Sequence, residues 1–262
     1  MILIAECRRK TGIMHRINNL KDSLKNKSCV KIIAGINNFD IERVKKVVSA
    51  ADQGGASAVD VAARQDIIYV AKELTNIPVF VSSIKPEELA MAAKEGADVL
   101  EIGNFDALYA DGLRINAEDV LNITKRTLDL VGNDIMMSVT VPGHINVGEQ
   151  IRLAQALEAL GIDLIQTEGA AISNASSDGA RGLIEKAHVS IANTIELARN
   201  IDIPVMTASG ITVTTASLAI AAGASAVGIG SAVNKLDSTL GMIAVVRSIV
   251  NALNPVKEKA LA

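Results

Sequence analysis

Aromatic side chains are scarce in this sequence, whose 262 residues contain no Trp, two Tyr and three Phe. Proteins that stack unpaired nucleobases need such rings, and a net charge of −3 supplies no positive field for nucleic acid. The two cysteines, Cys7 and Cys29, form neither a metal-site spacing nor a disulfide framework. No apolar run approaches the ~20 residues that cross a bilayer. We therefore expect no nucleic-acid partner, no membrane partner and a reducing compartment.

Small apolar residues, chiefly Ala, Val, Ile and Gly, take the place of the aromatics, which is typical of strands buried on both faces. Eight short runs of this kind follow one another along the chain: Val30–Ile36, Ala58–Ala63, Pro78–Ser83, Val99–Gly103, Ile135–Val141, Leu164–Gly169, Pro204–Gly210 and Ala226–Ser231. Helical patterns alternate with them: Phe39–Gln53 with Asp40 as N-cap, a helix opening at Lys85–Glu88, Ala117–Val131, Val147–Leu160, Lys186–Asn200, Thr214–Ala222 and Ser238–Leu253.

This alternation predicts an α/β fold, a single (β/α)8 barrel of parallel strands over residues 30–253. The alternative is an open doubly wound sheet, which would carry a glycine-rich fingerprint after its first strand. The sequence has AGINNFD there instead. A short N-terminal helical extension, residues 1–29 with a helix at His15–Lys27, precedes the barrel, and a tail of residues 254–262 follows it. Met14 is an alternative start to Met1.

Glycine turns follow both of the last two predicted strands, where many barrels bind phosphate. Glycine lets the backbone approach an anion, and the N–H groups of the next helix point towards it. The predicted phosphate-binding residues are Ser209, Gly210, Ile211, Gly228, Gly230 and Ser231. The alternative is that these glycines only make tight turns.

Charged and polar residues interrupt the apolar strands, and a buried charge must be paired or functional. Their spacing of two directs them into the barrel. Lys31 would polarise a carbonyl or form an imine, with Asp60 nearby as its counter-ion. Asp60 or Glu101 would transfer a proton, and Glu168, nearest the end of its strand, is the best-exposed candidate for a general base. The alternative is a buried ion-pair cluster that fixes the barrel geometry.

Further candidates lie in the fifth predicted strand and in the loops at the same end of the barrel. Asn104, Thr140 and His144 are the additional site residues. The long loops Asn104–Asn116 and Ala170–Glu185 are either lids or plain surface loops. We predict no metal site and no cofactor.

Several motifs together resemble one known family. They are AGINNFD, VDVAA, EIGNFDALY, TVP, QTEG, ASGI and GIGSAV, one at or after most of the predicted strands. They resemble the conserved open-reading-frame family encoded in algal chloroplast genomes and by cyanobacteria. The resemblance implies an aldolase-type barrel in the plastid stroma or the cyanobacterial cytoplasm, and implies no reaction.

Two functions follow from these patterns. The first is a lyase or isomerase acting on a phosphorylated sugar or a phosphorylated heterocycle precursor. The second is a non-catalytic phosphometabolite sensor or regulatory partner protein. Both bind a phosphorylated small molecule, and both are compatible with a homo-oligomer.

Overall fold

The strands form a closed parallel barrel in chain order, with β8 hydrogen-bonded to β1. The computed structural model describes residues 2–109, 112–169 and 176–254, with side chains from residue 12 onward. The strands are β1 Cys29–Ile33, β2 Ala58–Ala62, β3 Val79–Ser83, β4 Val99–Ile102, β5 Met136–Val141, β6 Leu164–Thr167, β7 Val205–Thr207 and β8 Ala226–Ile229. The predicted (β/α)8 barrel and all eight strands are confirmed.

Helices cover the outside of the barrel between successive strands. They are α1 Ile2–Lys25, α2 Ile41–Gly54, α3 Gln65–Leu74, α4 Pro86–Lys94, α5 Asp106–Tyr109, α6 Ala117–Val131, α7 Val147–Ala159, α8 Gly179–Asn200, α9 Val213–Ala221, α10 Ser231–Asn234 and α11 Thr239–Leu253. Asp40 caps α2 as predicted, since its side chain accepts hydrogen bonds from the backbone N–H groups of Glu42 and Arg43. None of the described helices is both long and apolar enough to span a membrane.

Three helical segments differ from the prediction. The N-terminal helix α1 begins at Ile2 instead of His15 and continues through Gly12, so the helix of the predicted extension is longer than expected. The helix α3 was not predicted. The helix α8 begins at Gly179 instead of Lys186, and its additional N-terminal turns contain the ion pair between Arg181 and Glu185, four residues apart.

The two long loops at the open end of the barrel also change with these boundaries. The loop after β4 contains α5, and the first two turns of α8 take up residues 179–185 of the loop after β6. Residues 110–111 and 170–175 of these loops lie outside the described part of the chain. Met1 and residues 255–262 of the predicted tail do so as well.

The helix α1 closes the N-terminal end of the barrel. Leu20 and Leu24 pack against the first inward-facing side chain of every strand, namely Cys29, Ala58, Phe80, Val99, Met136, Leu164, Met206 and Ala226. A second apolar layer lies between the strands and the outer helices. With its N-terminal end plugged in this way, the barrel interior opens towards the C-terminal ends of the strands.

Candidate functional site

A cavity of about 360 Å³ opens at the C-terminal end of the barrel. Its walls come from the ends of β1, β4, β6, β7 and β8 and from the loops that follow them. Seven of the predicted site residues line it: Asn104, Glu168, Ser209, Gly210, Ile211, Gly230 and Ser231. The structure thus brings both glycine turns and one of the predicted acid–base groups to the same cavity.

The turn after β7 is tightly constrained. Ser209 and Gly210 both have a positive φ, of 72° and 75°. A Cβ on Gly210 would lie 2.2 Å from the carbonyl oxygen of Lys186 in α8. Ser190, also in α8, donates a hydrogen bond of 2.9 Å to the carbonyl oxygen of Ser209. Only glycine fits this close contact, so the turn is held in one position against α8.

The turn after β8 is more open. Gly230 is the N-cap of α10, and the nearest atom to a Cβ added there is 3.9 Å away. Ser231 is exposed at the first position of the same helix, where backbone N–H groups have no partner within the helix. Gly228 lies deeper, where a Cβ would lie only 2.9 Å from the Ala208 Cβ, so its missing side chain permits close packing. It is not among the residues described as lining the cavity.

Glu168 borders the cavity although its side chain is almost fully buried. Burial and the negative charge of Asp106 raise the pKa of Glu168 to about 8. Hydrogen bonds from the Tyr109 hydroxyl, from the Gly143 N–H at 3.1 Å and from the Asp106 N–H at 3.2 Å oppose this rise. A carboxyl group of this kind exchanges a proton near neutral pH, as general acid–base catalysis requires.

The Tyr109 hydroxyl connects Glu168 to the protein surface. The hydroxyl oxygen lies 3.1 Å from Nδ1 of His144, whose side chain is exposed. The guanidinium of Arg114 stacks on the Tyr109 ring. Burial and the charge on Glu168 raise the pKa of Tyr109, while burial and Arg114 lower the pKa of His144. His144 therefore belongs to the surroundings of Glu168 and is not among the residues described as lining the cavity.

Asn104 lies between the cavity and the barrel interior. Its φ of 63° is left-handed, which is uncommon for a residue other than glycine. Its Nδ2 donates to Asp60 at 3.0 Å, to Ser82 at 3.0 Å and to Glu101 at 3.1 Å. The residue before it, Gly103, must be glycine, because a Cβ at that position would overlap the Thr140 side chain.

Below Asn104, three charged side chains are fully buried inside the barrel. Lys31 forms an ion pair with Glu101, and its ammonium group lies 4.8 Å from the centre of the Phe80 ring. The predicted ion-pair partner, Asp60, instead accepts hydrogen bonds from Ser82 and Asn104. Burial and the charge of Glu101 raise the pKa of Asp60 to about 7. The prediction paired Lys31 with a side chain on the neighbouring strand in sequence. In the structure, inward-facing side chains of β1 and β4 meet across the barrel interior.

A layer of amide groups separates this buried cluster from the cavity. Gln166 donates from Nε2 to Thr140 at 3.1 Å, to Asn104 at 3.2 Å and to Glu101 at 3.3 Å. Lys31, Asp60, Glu101 and Thr140 are consequently not among the described residues that line the cavity. In the described part of the chain, no group of three or more His, Cys, Asp or Glu side chains is arranged to hold a metal ion.

Sequence reasoning gave no role to Tyr109. Ser209 donates a hydrogen bond to Asp106, so the β4–α5 loop joins the turn after β7. The sequence signal that could have identified Tyr109 was the EIGNFDALY motif. One of the two tyrosines in the sequence lies there, shortly after a strand end at the open end of the barrel.

Solved structures with a similar fold include enzymes that are named after phosphorylated compounds. One is (S)-3-O-geranylgeranylglyceryl phosphate synthase of Thermoplasma acidophilum with its substrate sn-glycerol-1-phosphate, 16% identical, with a TM-score of 0.58 over 90% of this chain and 98% of that one. Another is 3-hexulose-6-phosphate synthase of Salmonella typhimurium, 12% identical, with a TM-score of 0.61 over 86% of this chain and 98% of that one. At these identities the similarity shows the fold alone.

Sequence relatives are much more similar. "Uncharacterized protein ycf23" of Cyanophora paradoxa is 42% identical over 90% of this chain and 97% of its own length. The protein of the same name in Pyropia yezoensis is 33% identical over 90% of this chain and 86% of its own length. Residues 15–259 match the family described as "Protein of unknown function (DUF561)". The family predicted from the motifs is thereby confirmed, and this chain belongs to DUF561.

Proposed function

We propose that the protein binds a phosphorylated small molecule in the cavity at the C-terminal end of the barrel and acts on it as a lyase or isomerase. The observation that carries this proposal is the position of Glu168 in the same cavity as both glycine turns. A phosphate at one end of the cavity would hold the remainder of the molecule next to a carboxyl group that exchanges a proton near neutral pH.

The anion end of the cavity consists of backbone and hydroxyl groups. Gly210 and Gly230 let the backbone approach a phosphate, and Ser231 begins a helical turn whose N–H groups favour negative charge. The described residues lining the cavity include no Lys or Arg, so the phosphate is bound by N–H and O–H donors. The enzymes of similar fold described above support this assignment, because they are named after phosphorylated compounds.

The proton-transfer group is Glu168. Its pKa of about 8 keeps a large share of the carboxyl protonated at pH 7, and the exposed His144 gives the Tyr109 hydroxyl access to solvent. Lys31, Asp60 and Glu101 contribute indirectly in this proposal, because the layer of Asn104 and Gln166 separates them from the bound molecule. The family membership supports a plastid stromal or cyanobacterial cytoplasmic location.

The binding half of the proposal is tested by thermal unfolding against inorganic phosphate, sulfate and a panel of phosphorylated metabolites. A ligand present at about 100 times its Kd adds roughly 2.7 kcal/mol of stability. For a domain of this size, that raises Tm by about 5–10 °C. Ser231→Asp should abolish the increase by charge repulsion, whereas Ser248→Asp, on the exposed face of α11, should retain it. An unchanged Tm with every phosphate compound contradicts the proposal.

The catalytic half is tested with whichever metabolite raises Tm. Turnover that is lost in Glu168→Gln while the ligand still binds supports a lyase or isomerase. A ligand that binds without any turnover supports the alternative, a sensor of the same phosphorylated compound.

A further inference from the structure

Two buried side-chain oxygens in the cavity wall accept no hydrogen bond from the described residues. They are Oε1 of Gln166, a residue only 1% exposed, and Oδ1 of Asn234. The orientation of Gln166 is fixed, because its Nε2 donates to the carboxylate of Glu101 and to Thr140. The amide oxygen must then point the other way, towards the cavity.

Asn234 is fixed in the same manner. Its Nδ2 donates a hydrogen bond of 2.7 Å to the carbonyl oxygen of Ile33, at the end of β1. Gly228 lies next to the Gln166 acceptor, since a Cβ there would lie 3.4 Å from Oε1, and only glycine fits because the same Cβ would lie 2.9 Å from the Ala208 Cβ. Both acceptors therefore lie on the β8–β1 side of the cavity, beside the turn that begins at Gly230.

A buried acceptor without a donor destabilises a protein, so such atoms in a binding cavity indicate what a ligand supplies. Neutral amide oxygens accept from hydroxyl or N–H groups and give nothing to an aliphatic chain. The carboxyl groups of Asp106 and Glu168 in the same wall disfavour a second acidic group on the ligand. The remainder of the ligand is therefore rich in donors and carries no second acidic group.

We propose that the cavity selects a phosphorylated polyhydroxy compound, with hydroxyl groups that donate to Gln166 Oε1 and Asn234 Oδ1. This inference rests on the proposed phosphate binding and narrows it, because it favours an open-chain or cyclic sugar phosphate over a phosphorylated heterocycle or a phosphorylated hydrocarbon chain. The polyol portion extends from the phosphate, at the turn after β8, towards Oε1 of Gln166.

The test compares two ligands of equal chain length by isothermal titration calorimetry on the full-length protein. Ribitol 5-phosphate carries hydroxyl groups along the chain, and n-pentyl phosphate carries none. Two hydrogen bonds of ordinary strength predict that ribitol 5-phosphate binds about thirtyfold more tightly. Equal binding, or tighter binding of n-pentyl phosphate, overturns the polyol inference and leaves phosphate binding intact. Failure of both ligands and of inorganic phosphate to bind overturns the proposed function and the inference together.

Substitutions test whether the preference for ribitol 5-phosphate arises from the proposed acceptor oxygens. Gln166→Met preserves the length of the side chain without the acceptor and should reduce the preference for ribitol 5-phosphate severalfold. Ser138→Ala is the matched control, because Ser138 Oγ is also buried without a partner among the described residues but is not part of the described cavity wall. The control should keep the full preference. If Gln166→Met does not fold, the ligand comparison on the unmodified protein still decides the proposal.

Discussion

Replacing Glu168 by Gln tests whether this carboxyl group holds its proton as the structure requires. Only 3% of the residue is exposed, and burial together with the charge of Asp106 raises its pKa from 4.5 to about 8. Between these two values the folded protein retains a proton that the unfolded chain has lost. The free energy of unfolding contributed by this group is therefore fully present below pH 4.5 and is lost as the pH rises towards 8.

The expected magnitude follows from the same linkage. Within that window, one retained proton lowers the free energy of unfolding by up to about 1.4 kcal/mol per pH unit. Glutamine has nearly the same shape and cannot ionise, so the Glu168→Gln variant lacks this contribution. Asp60, whose pKa is also raised, titrates in both proteins and cancels in the comparison. We expect the variant to gain stability relative to the parent protein by several kcal/mol between pH 5 and pH 8.

Urea unfolding of both proteins at pH 5, 6, 7 and 8 measures the difference in slope. A constant offset from altered hydrogen bonds to Gly143 or Asp106 does not affect that slope. Carboxyl ¹³C NMR of glutamate-labelled protein gives the titration directly, with the variant identifying the Glu168 signal. Parallel stability profiles, or a Glu168 signal that titrates near 4.5, would refute the reasoning about burial.

Three further substitutions test separate parts of the site. Tyr109→Phe removes a donor to the Glu168 carboxylate, so the pKa of Glu168 should rise further, and a fall measured by ¹³C NMR would contradict this. Gly210→Ala places a side chain at a φ of 75° against the backbone of α8, and urea unfolding should show a loss of about 2 kcal/mol or more. Lys31→Met leaves Glu101 buried without its counter-ion, which should cost about 3–5 kcal/mol, and adding Glu101→Gln should restore part of it.

The barrel was predictable because buried parallel strands leave a clear signal in the sequence. Short runs rich in Val and Ile located all eight strands within a few residues. The helix α3 has a buried face that includes Ile67 and Ile68, but it begins after Arg64 and ends before Thr75, so no typical capping residue, glycine or proline marked its bounds. Short helices of this kind depend on packing against the barrel more than on their own sequence pattern.

The cavity was predictable only in outline. Strand ends gave the positions of Glu168 and of the two glycine turns, because parallel strands in a barrel end on the same face. The position of Tyr109 depends on the conformation of a long loop, which periodicity does not determine. The partner of Lys31 depends on which strands face each other across the interior, and no local pattern records the pairing with Glu101.

The buried cluster and the cavity are coupled through Asn104. Its left-handed backbone is one that Asn adopts more readily than other residues with a side chain, and hydrogen bonds to Asp60, Ser82 and Glu101 hold it there. The same network fixes which way Gln166 points, and with it the acceptor that faces the cavity. Buried charge inside the barrel therefore fixes the orientation of a polar group in the cavity wall, although the charged groups themselves do not line the cavity. In this arrangement the buried Lys31 and Glu101 influence the cavity through Gln166 and Asn104 without lining it.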